Sequence, residues 1–209
     1  MGGYPAHAER CKSSDPQAVT TLRLTFILGG ARSGKSDYAQ KLAEARREPV
    51  LFIATAQPLD DEMRGRIAAH RQRRSSQWQT LELSTGVGRY MLEHSMPPGV
   101  VLLDCLTLLI SNTMLQNTDP AEPEAEVARA DVKHEMELLL DAIRQSHSDW
   151  IVVSNEVGQG IVPPYAVGRI FRDLLGWANK EMARQAEEVI WMVAGIPVPI
   201  GQHRPGDAA

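Results

Sequence analysis

Five short apolar runs divide the chain: Leu24–Leu28, Val50–Ala54, Val100–Leu103, Trp150–Val153 and Val189–Val193. Their brevity and near-continuous hydrophobicity are those of strands buried on both faces of a parallel sheet. Between them the apolar spacing becomes helical. One helix leaves a glycine-rich stretch and ends near Arg46, before Pro49. Residues 60–71 form a second, with Asp60, Asp61 and Glu62 at its start and arginines at its end, as the helix dipole prefers. Further helices are expected over 87–94, 106–116, 124–145 and 165–186. The longest carries Val127, Val132, Met136, Leu139, Leu140 and Ile143 at helical spacing and reads as amphipathic. Trp78 to Leu83 alternates like a strand, and Val198 to Ile200 adds a short edge.

Strands alternating with helices predict a single α/β domain over 23–201, its mostly parallel sheet covered by helices on both faces. Residues 1–22 lack periodicity and read as an extension, and 202–209 as a loose tail. Residues 156–164 are punctuated by glycine and proline, as in a lid or binding loop. Ligands in such sheets sit at the carboxyl ends of the strands. Thr55, Asp104 and the Asn155–Glu156 pair all fall there.

So does Gly29-Gly30-Ala31-Arg32-Ser33-Gly34-Lys35-Ser36, which joins the first run to the first helix. It has the G-x-x-x-x-G-K-[ST] spacing of a phosphate-binding P-loop. Glycines let the backbone wrap an anion, and successive N–H groups and the helix N-terminus face the phosphates. Lys35 reaches the β- and γ-phosphates, and the Ser36 hydroxyl can ligand Mg²⁺. Asp104 closes a buried strand and would hold the same Mg²⁺. An ordinary strand-end carboxylate capping the next turn is the alternative.

Over 209 residues the net charge is −4. That argues against a general nucleic-acid binder, so an anionic ligand must be held by local positive charge. Cys11 and Cys105 make neither a disulfide framework nor a zinc site. Cys105, in an apolar run, reads as a small core residue. No apolar stretch approaches a membrane span and no signal-peptide core leads the chain, so a cytoplasmic protein is expected.

Arg64-Gly65-Arg66-Ile67-Ala68-Ala69-His70-Arg71-Gln72-Arg73-Arg74 is basic in an otherwise acidic chain. On a helix, His70 shares a stripe with Met63 and Ile67. A neutral imidazole can attack phosphorus and hold the transferred group as a phosphoramidate. Arginines beside it would neutralise charge growing on the phosphate oxygens. A solvated basic face explains the same spacing.

The stretches GGARSGKS, LFIATAQPLDDEMRGRIAAHRQRR, WQTLE, VVLLDCLT and VVSNEVGQGIVPPYAVGRIFRDLLGWANKEMA, then AGIPV, resemble the bifunctional adenosylcobinamide kinase / adenosylcobinamide-phosphate guanylyltransferase family. The resemblance runs from about Leu24 to Ile200. It implies a RecA-like P-loop NTPase fold, a homotrimer and a corrinoid substrate near a subunit boundary. ATP or GTP would phosphorylate adenosylcobinamide. GTP would then guanylylate His70, within Arg66-Ile67-Ala68-Ala69-His70, and the GMP would pass to adenosylcobinamide phosphate. Nucleotide contacts would be Gly29, Gly30, Ala31, Arg32, Ser33, Gly34, Lys35 and Ser36, then Ala54, Thr55, Ala56, Arg71, Gln72, Arg73, Arg74, Glu82 and Asp104. Glu156 is a candidate kinase base. Lys180 departs from the family, where relatives often carry Gln. The alternatives are a P-loop kinase with no covalent GMP and a non-catalytic RecA-like nucleotide-binding module.

Overall fold

The computed structural model describes residues 23–94 and 99–201, without the side chains of Arg66 and Arg73. The expected extension over 1–22, with Cys11, and the tail over 202–209 lie outside the described residues. The elements in chain order are β1 (Leu24–Gly29), α1 (Lys35–Ala45), β2 (Val50–Ala54), α2 (Asp61–Arg73), β3 (Gln79–Glu82), α3 (Val87–Glu93) and β4 (Val100–Asp104). They continue as α4 (Leu106–Met114), α5 (Ala125–Gln145), β5 (Asp149–Asn155), α6 (Ala166–Gln185), β6 (Glu188–Val193) and β7 (Ile196–Gly201).

The strands form one sheet in the order β3-β2-β4-β5-β1-β6-β7. All neighbours are parallel except β6 and β7. Because strand side chains alternate, each central strand feeds two cores. Phe26, Ile53, Leu103 and Val152 join residues of α4, α5 and α6 on one face. Ile27, Phe52, Leu102 and Ile151 pack with Ala39 and Ala43 of α1 on the other. This is the doubly covered sheet that the continuous apolar runs require.

Two contacts fix the helical layer. Gly88 of α3 lies so close to α5 that a Cβ there would come within 2.2 Å of the Leu139 nitrogen. Buried Glu135 of α5 accepts from the Gly86 N–H at 2.8 Å and the Gly88 N–H at 3.4 Å. It satisfies donors at the start of α3, where a helix has no partners of its own and favours negative charge.

The expected short edge at 198–200 is longer, a six-residue strand antiparallel to β6. The reason is the turn at Ala194 (φ 51°) and Gly195 (φ 81°). Two successive positive φ values are those of a type I′ hairpin, whose twist matches the strands it joins.

Candidate active site

The P-loop connects β1 to α1 at the carboxyl edge of the sheet. Arg32 (φ 56°) and Gly34 (φ 91°) take left-handed conformations, which curl the loop into an anion-binding concavity. Glycine is required at 29, where a Cβ would lie 2.5 Å from the Met192 carbonyl oxygen. The β6–β7 turn braces the loop from the side, the Gly195 N–H donating to the Ser33 carbonyl at 3.0 Å.

Lys35 is buried, and its ammonium donates to the Gly30 carbonyl at 2.5 Å and to Ser33 Oγ at 3.3 Å. Burial holds its pKa below the ordinary lysine value, against Cys105 and Asp104, which raise it. Ser36 Oγ donates to Asp104 Oδ1 at 3.3 Å, so the two expected Mg²⁺ ligands meet across α1 and β4. Burial pushes the Asp104 carboxyl up. The Ser36 hydrogen bond and the charges of His70, Arg74 and Lys35 pull it back down. The donor set fits Mg²⁺, which takes one or two protein oxygens and completes its shell with water and substrate phosphate. Among the described residues no group of three or more Asp, Glu, His or Cys side chains is arranged to hold a metal ion by itself.

A cavity of about 880 Å³ opens above these groups. Ala31, Arg32, Ser33, Gly34, Lys35, Ser36 and Asp104 line its P-loop end. Ala54 ends β2 and Ala56 follows it, and both line the cavity. Met63, Ile67, His70, Arg71 and Arg74 of the α2 segment face it, and Glu82 closes the side. The stripe expected on the basic helix therefore borders the same cavity as the P-loop. The ties holding α2 are its N-cap and side-chain contacts with the sheet. Asp60 Oδ1 accepts from the Met63 N–H at 2.6 Å, Arg71 pairs with Glu82, and the Arg74 guanidinium sits 3.7 Å above the Phe52 ring.

Gly29, Gly30, Thr55, Gln72 and Glu156 are not part of the cavity wall. Gly29 and Gly30 act through their carbonyls, which accept from the Glu156 N–H and Lys35. Thr55 is fully buried, its hydroxyl on the Cys105 backbone at 2.8 Å, so it is a strut beneath the end of β4. Gln72 is solvent-exposed, and the Arg73 side chain is outside the described residues. The Glu156 carboxylate turns back onto the Gly158 N–H of its own loop. Cys105 packs on the α1-side core and also lines the cavity, with its thiol pushed up to about 12 by burial and Asp104. It is a neutral wall residue. Lys180 is exposed, away from the chemistry.

Sequence reasoning missed Leu108 and Val153 as cavity walls. It also missed the ring that fixes Asn155, whose residue borders the cavity. The Asn155 N–H donates to Thr107 Oγ1 at 2.6 Å, and Thr107 Oγ1 lies 3.2 Å from Ser154 Oγ. Ser154 Oγ donates to Asn179 Oδ1 at 2.7 Å, and Asn179 Nδ2 donates to the Asn155 carbonyl at 3.0 Å. The available signal was polar residues inside apolar patterns: Thr107 beside Leu106, Ser154 after Val153, and Asn179 after Ala178.

The family model described as cobinamide kinase / cobinamide phosphate guanyltransferase matches residues 25–200. The bifunctional adenosylcobalamin biosynthesis protein CobU of Escherichia coli K12 is 38% identical over 180 residues, covering 85% of this chain and 99% of that protein. CobP of Pseudomonas aeruginosa, described in the same words, is 39% identical over 175 residues, 84% of this chain and 95% of its own. CobU of Salmonella typhimurium LT2 is 36% identical over 181 residues, with 85% and 99% covered. Among solved structures, a Pyrococcus horikoshii OT3 protein aligns at TM-score 0.51 and 8% identity over 87% of each chain, a likeness of fold alone. The RadB recombinase aligns at TM-score 0.44 and 16% identity, over 81% of this chain and 73% of that one. Similarity at this level, running nearly the full length of three relatives, gives the assignment: the chain belongs to the cobinamide kinase / cobinamide phosphate guanyltransferase family, whose two activities serve adenosylcobalamin biosynthesis.

Proposed function

We propose that one triphosphate cradle serves both activities, and that His70 carries GMP covalently between GTP and the corrinoid. The observation that carries this reading is a single cavity bordered by both the P-loop and His70. In the kinase step, the loop N–H groups and Lys35 hold the β- and γ-phosphates of ATP or GTP. The aminopropanol hydroxyl of adenosylcobinamide attacks the γ-phosphorus and the bond to the β-phosphate oxygen breaks. Ser36 and Asp104 would hold Mg²⁺, which when bound neutralises charge on the β- and γ-oxygens.

In the second step the His70 imidazole attacks the α-phosphorus of GTP. An N–P bond forms, the α–β P–O bond breaks and pyrophosphate leaves. A phosphate oxygen of adenosylcobinamide phosphate then attacks the same phosphorus, releasing the imidazole and giving adenosylcobinamide-GDP. Arg71 and Arg74 supply positive charge beside the transferring group. The side chains of Ala54, Ala56 and Glu82 form the remaining nucleotide wall, and Thr55, Gln72 and Arg73 contribute through the backbone or from the periphery. The catalytic domain is 23–201, supported by the family match over 25–200. A homotrimer and a cytoplasmic setting complete the reading. No helix among the described residues is long and apolar enough to cross a membrane.

Intact mass after incubation with GTP and Mg²⁺ tests the proposal. One added GMP per chain is expected, and none in His70→Ala, while that variant still binds nucleotide. A GMP adduct that persists in His70→Ala refutes the assignment. Phosphorylation of cobinamide with no adduct in the wild-type protein leaves the kinase without a covalent carrier.

A further inference from the structure

The cavity of about 880 Å³ is the size of a site for one drug-sized ligand. A nucleoside triphosphate occupies it, and a corrin macrocycle does not fit beside the nucleotide. Only the aminopropanol arm of the corrinoid needs to reach the γ-phosphate. The ring must rest on surface outside the mouth, and that surface must be rooted at the site.

The loop between β5 and α6 meets this requirement. Its root is fixed at the cradle: Asn155 lines the cavity, and the Glu156 N–H donates to the Gly29 carbonyl at 3.1 Å. Its far side is stapled to α6. Arg169 donates to the Pro164 carbonyl at 2.7 Å and the Pro163 carbonyl at 3.1 Å, and Arg172 to the Gly158 carbonyl at 2.8 Å. Between these anchors the large apolar side chains point to solvent. Ile161 is 96% exposed, Val162 60% and Tyr165 75%. Residues 157–165 carry no charge. An apolar group held outward at the edge of a ligand site marks a contact surface, because nothing in the fold gains from its exposure.

We infer that Ile161, Val162 and Tyr165 form the platform on which the corrin ring of cobinamide docks during phosphorylation. The chemistry matches: the macrocycle offers an apolar face rimmed by neutral carboxamides. The loop offers aliphatic and aromatic surface with the neutral Gln159 beside it, and no charge to be stripped of water. A second copy of this chain is the competing occupant. The observations favour the corrinoid because the loop starts within the nucleotide site, and because three side chains make a patch far smaller than a stable subunit interface. The inference rests on the family's cobinamide-phosphorylating activity and not on the role of His70.

The test uses Ile161→Ser and Tyr165→Ser in the full-length protein. Titration calorimetry with cobinamide in the presence of a non-hydrolysable nucleotide reads the platform directly. Weakening on the order of tenfold per substitution is expected. A matching rise is expected in the kinase KM for cobinamide at near-constant kcat. The KM for nucleotide and the molecular mass in solution should stay unchanged. Unaltered cobinamide affinity overturns the inference. So does a change of assembly mass with affinity restored at high protein concentration, which makes the patch a contact between copies. Incorporation of GMP is scored separately: its absence from wild-type protein refutes the His70 reading and leaves the platform standing.

Discussion

Asn179→Ala cuts the ring around Asn155 at a buried member that holds two of its bonds. The direction of every bond in that ring is determined. Ser154 gives its proton to Asn179 Oδ1, so Thr107 must donate to Ser154, and Thr107 in turn accepts from the Asn155 N–H. Both main-chain polar groups of Asn155 are thereby held from one side of the sheet. Truncating Asn179 leaves the Asn155 carbonyl without its donor and Ser154, fully buried, without its acceptor. Two lost bonds and one orphaned carbonyl cost about 2–4 kcal/mol. At about 2–4 °C per kcal/mol for a chain of this size, Tm falls on the order of 10 °C. Differential scanning calorimetry measures the stability, and cobinamide kinase assays follow kcat/KM, which should also drop because Asn155 walls the cavity. Asn179→Asp should be no better: it keeps an acceptor for Ser154 but sets a carboxylate oxygen against the Asn155 carbonyl. A change under about 0.5 kcal/mol in Asn179→Ala, the size of an ordinary surface substitution, would refute the reasoning.

Asp104 ties stability to pH. Burial raises its folded-state pKa above the reference of 3.8, so the native protein keeps that proton to higher pH than the unfolded chain. Stability from this group is fully present below 3.8 and is lost as pH rises through the raised value. Asp104→Asn should flatten that segment of a Tm-versus-pH curve and raise Tm near neutrality without nucleotide, while Mg²⁺-dependent nucleotide affinity collapses; a lower neutral Tm contradicts this. Gly29→Ala drives a Cβ into the Met192 carbonyl, so nucleotide binding should fail and urea melts should show about 1–3 kcal/mol of destabilisation. Ala194→Asn places the preferred Asn-Gly pair in the β6–β7 turn and relieves a left-handed alanine, which should add about 0.5–1 kcal/mol in the same melts.

The fold was legible because its buried parallel strands are short apolar runs separated by stretches of helical spacing. The loop over 29–36 was equally legible as a strand-to-helix turn, since its curled backbone geometry is one that only certain residues at fixed spacing permit. His70 was placed on the right stripe by helical periodicity, but periodicity does not say which layer a helix faces. Arg74 on Phe52 and Arg71 on Glu82 supply that information, and both are long-range contacts. Thr55 was named as a nucleotide contact, yet its hydroxyl is taken up by the backbone after Asp104. A strand-end threonine looks the same in sequence whichever way it turns. The ring through Thr107, Ser154 and Asn179 was missed for a related reason: each is a polar residue in an apolar pattern, but its partners are distant in sequence.

The hairpin that fastens Gly195 to Ser33 has a bearing on how two reactions share one cradle. A Cβ on Gly34 would already stand 3.3 Å from the Gly195 Cα, so the pocket floor has no slack on that flank. In the proposed scheme the terminal phosphates therefore meet a fixed datum, and the distance from it to each phosphorus atom is set by the nucleotide's own bonds. Which bond breaks then depends on which nucleophile advances, the substrate alcohol at one position or the His70 imidazole two phosphorus atoms along. The choice between the chemistries belongs to the nucleophile, and the rigid flank keeps the measuring scale from shifting beneath it.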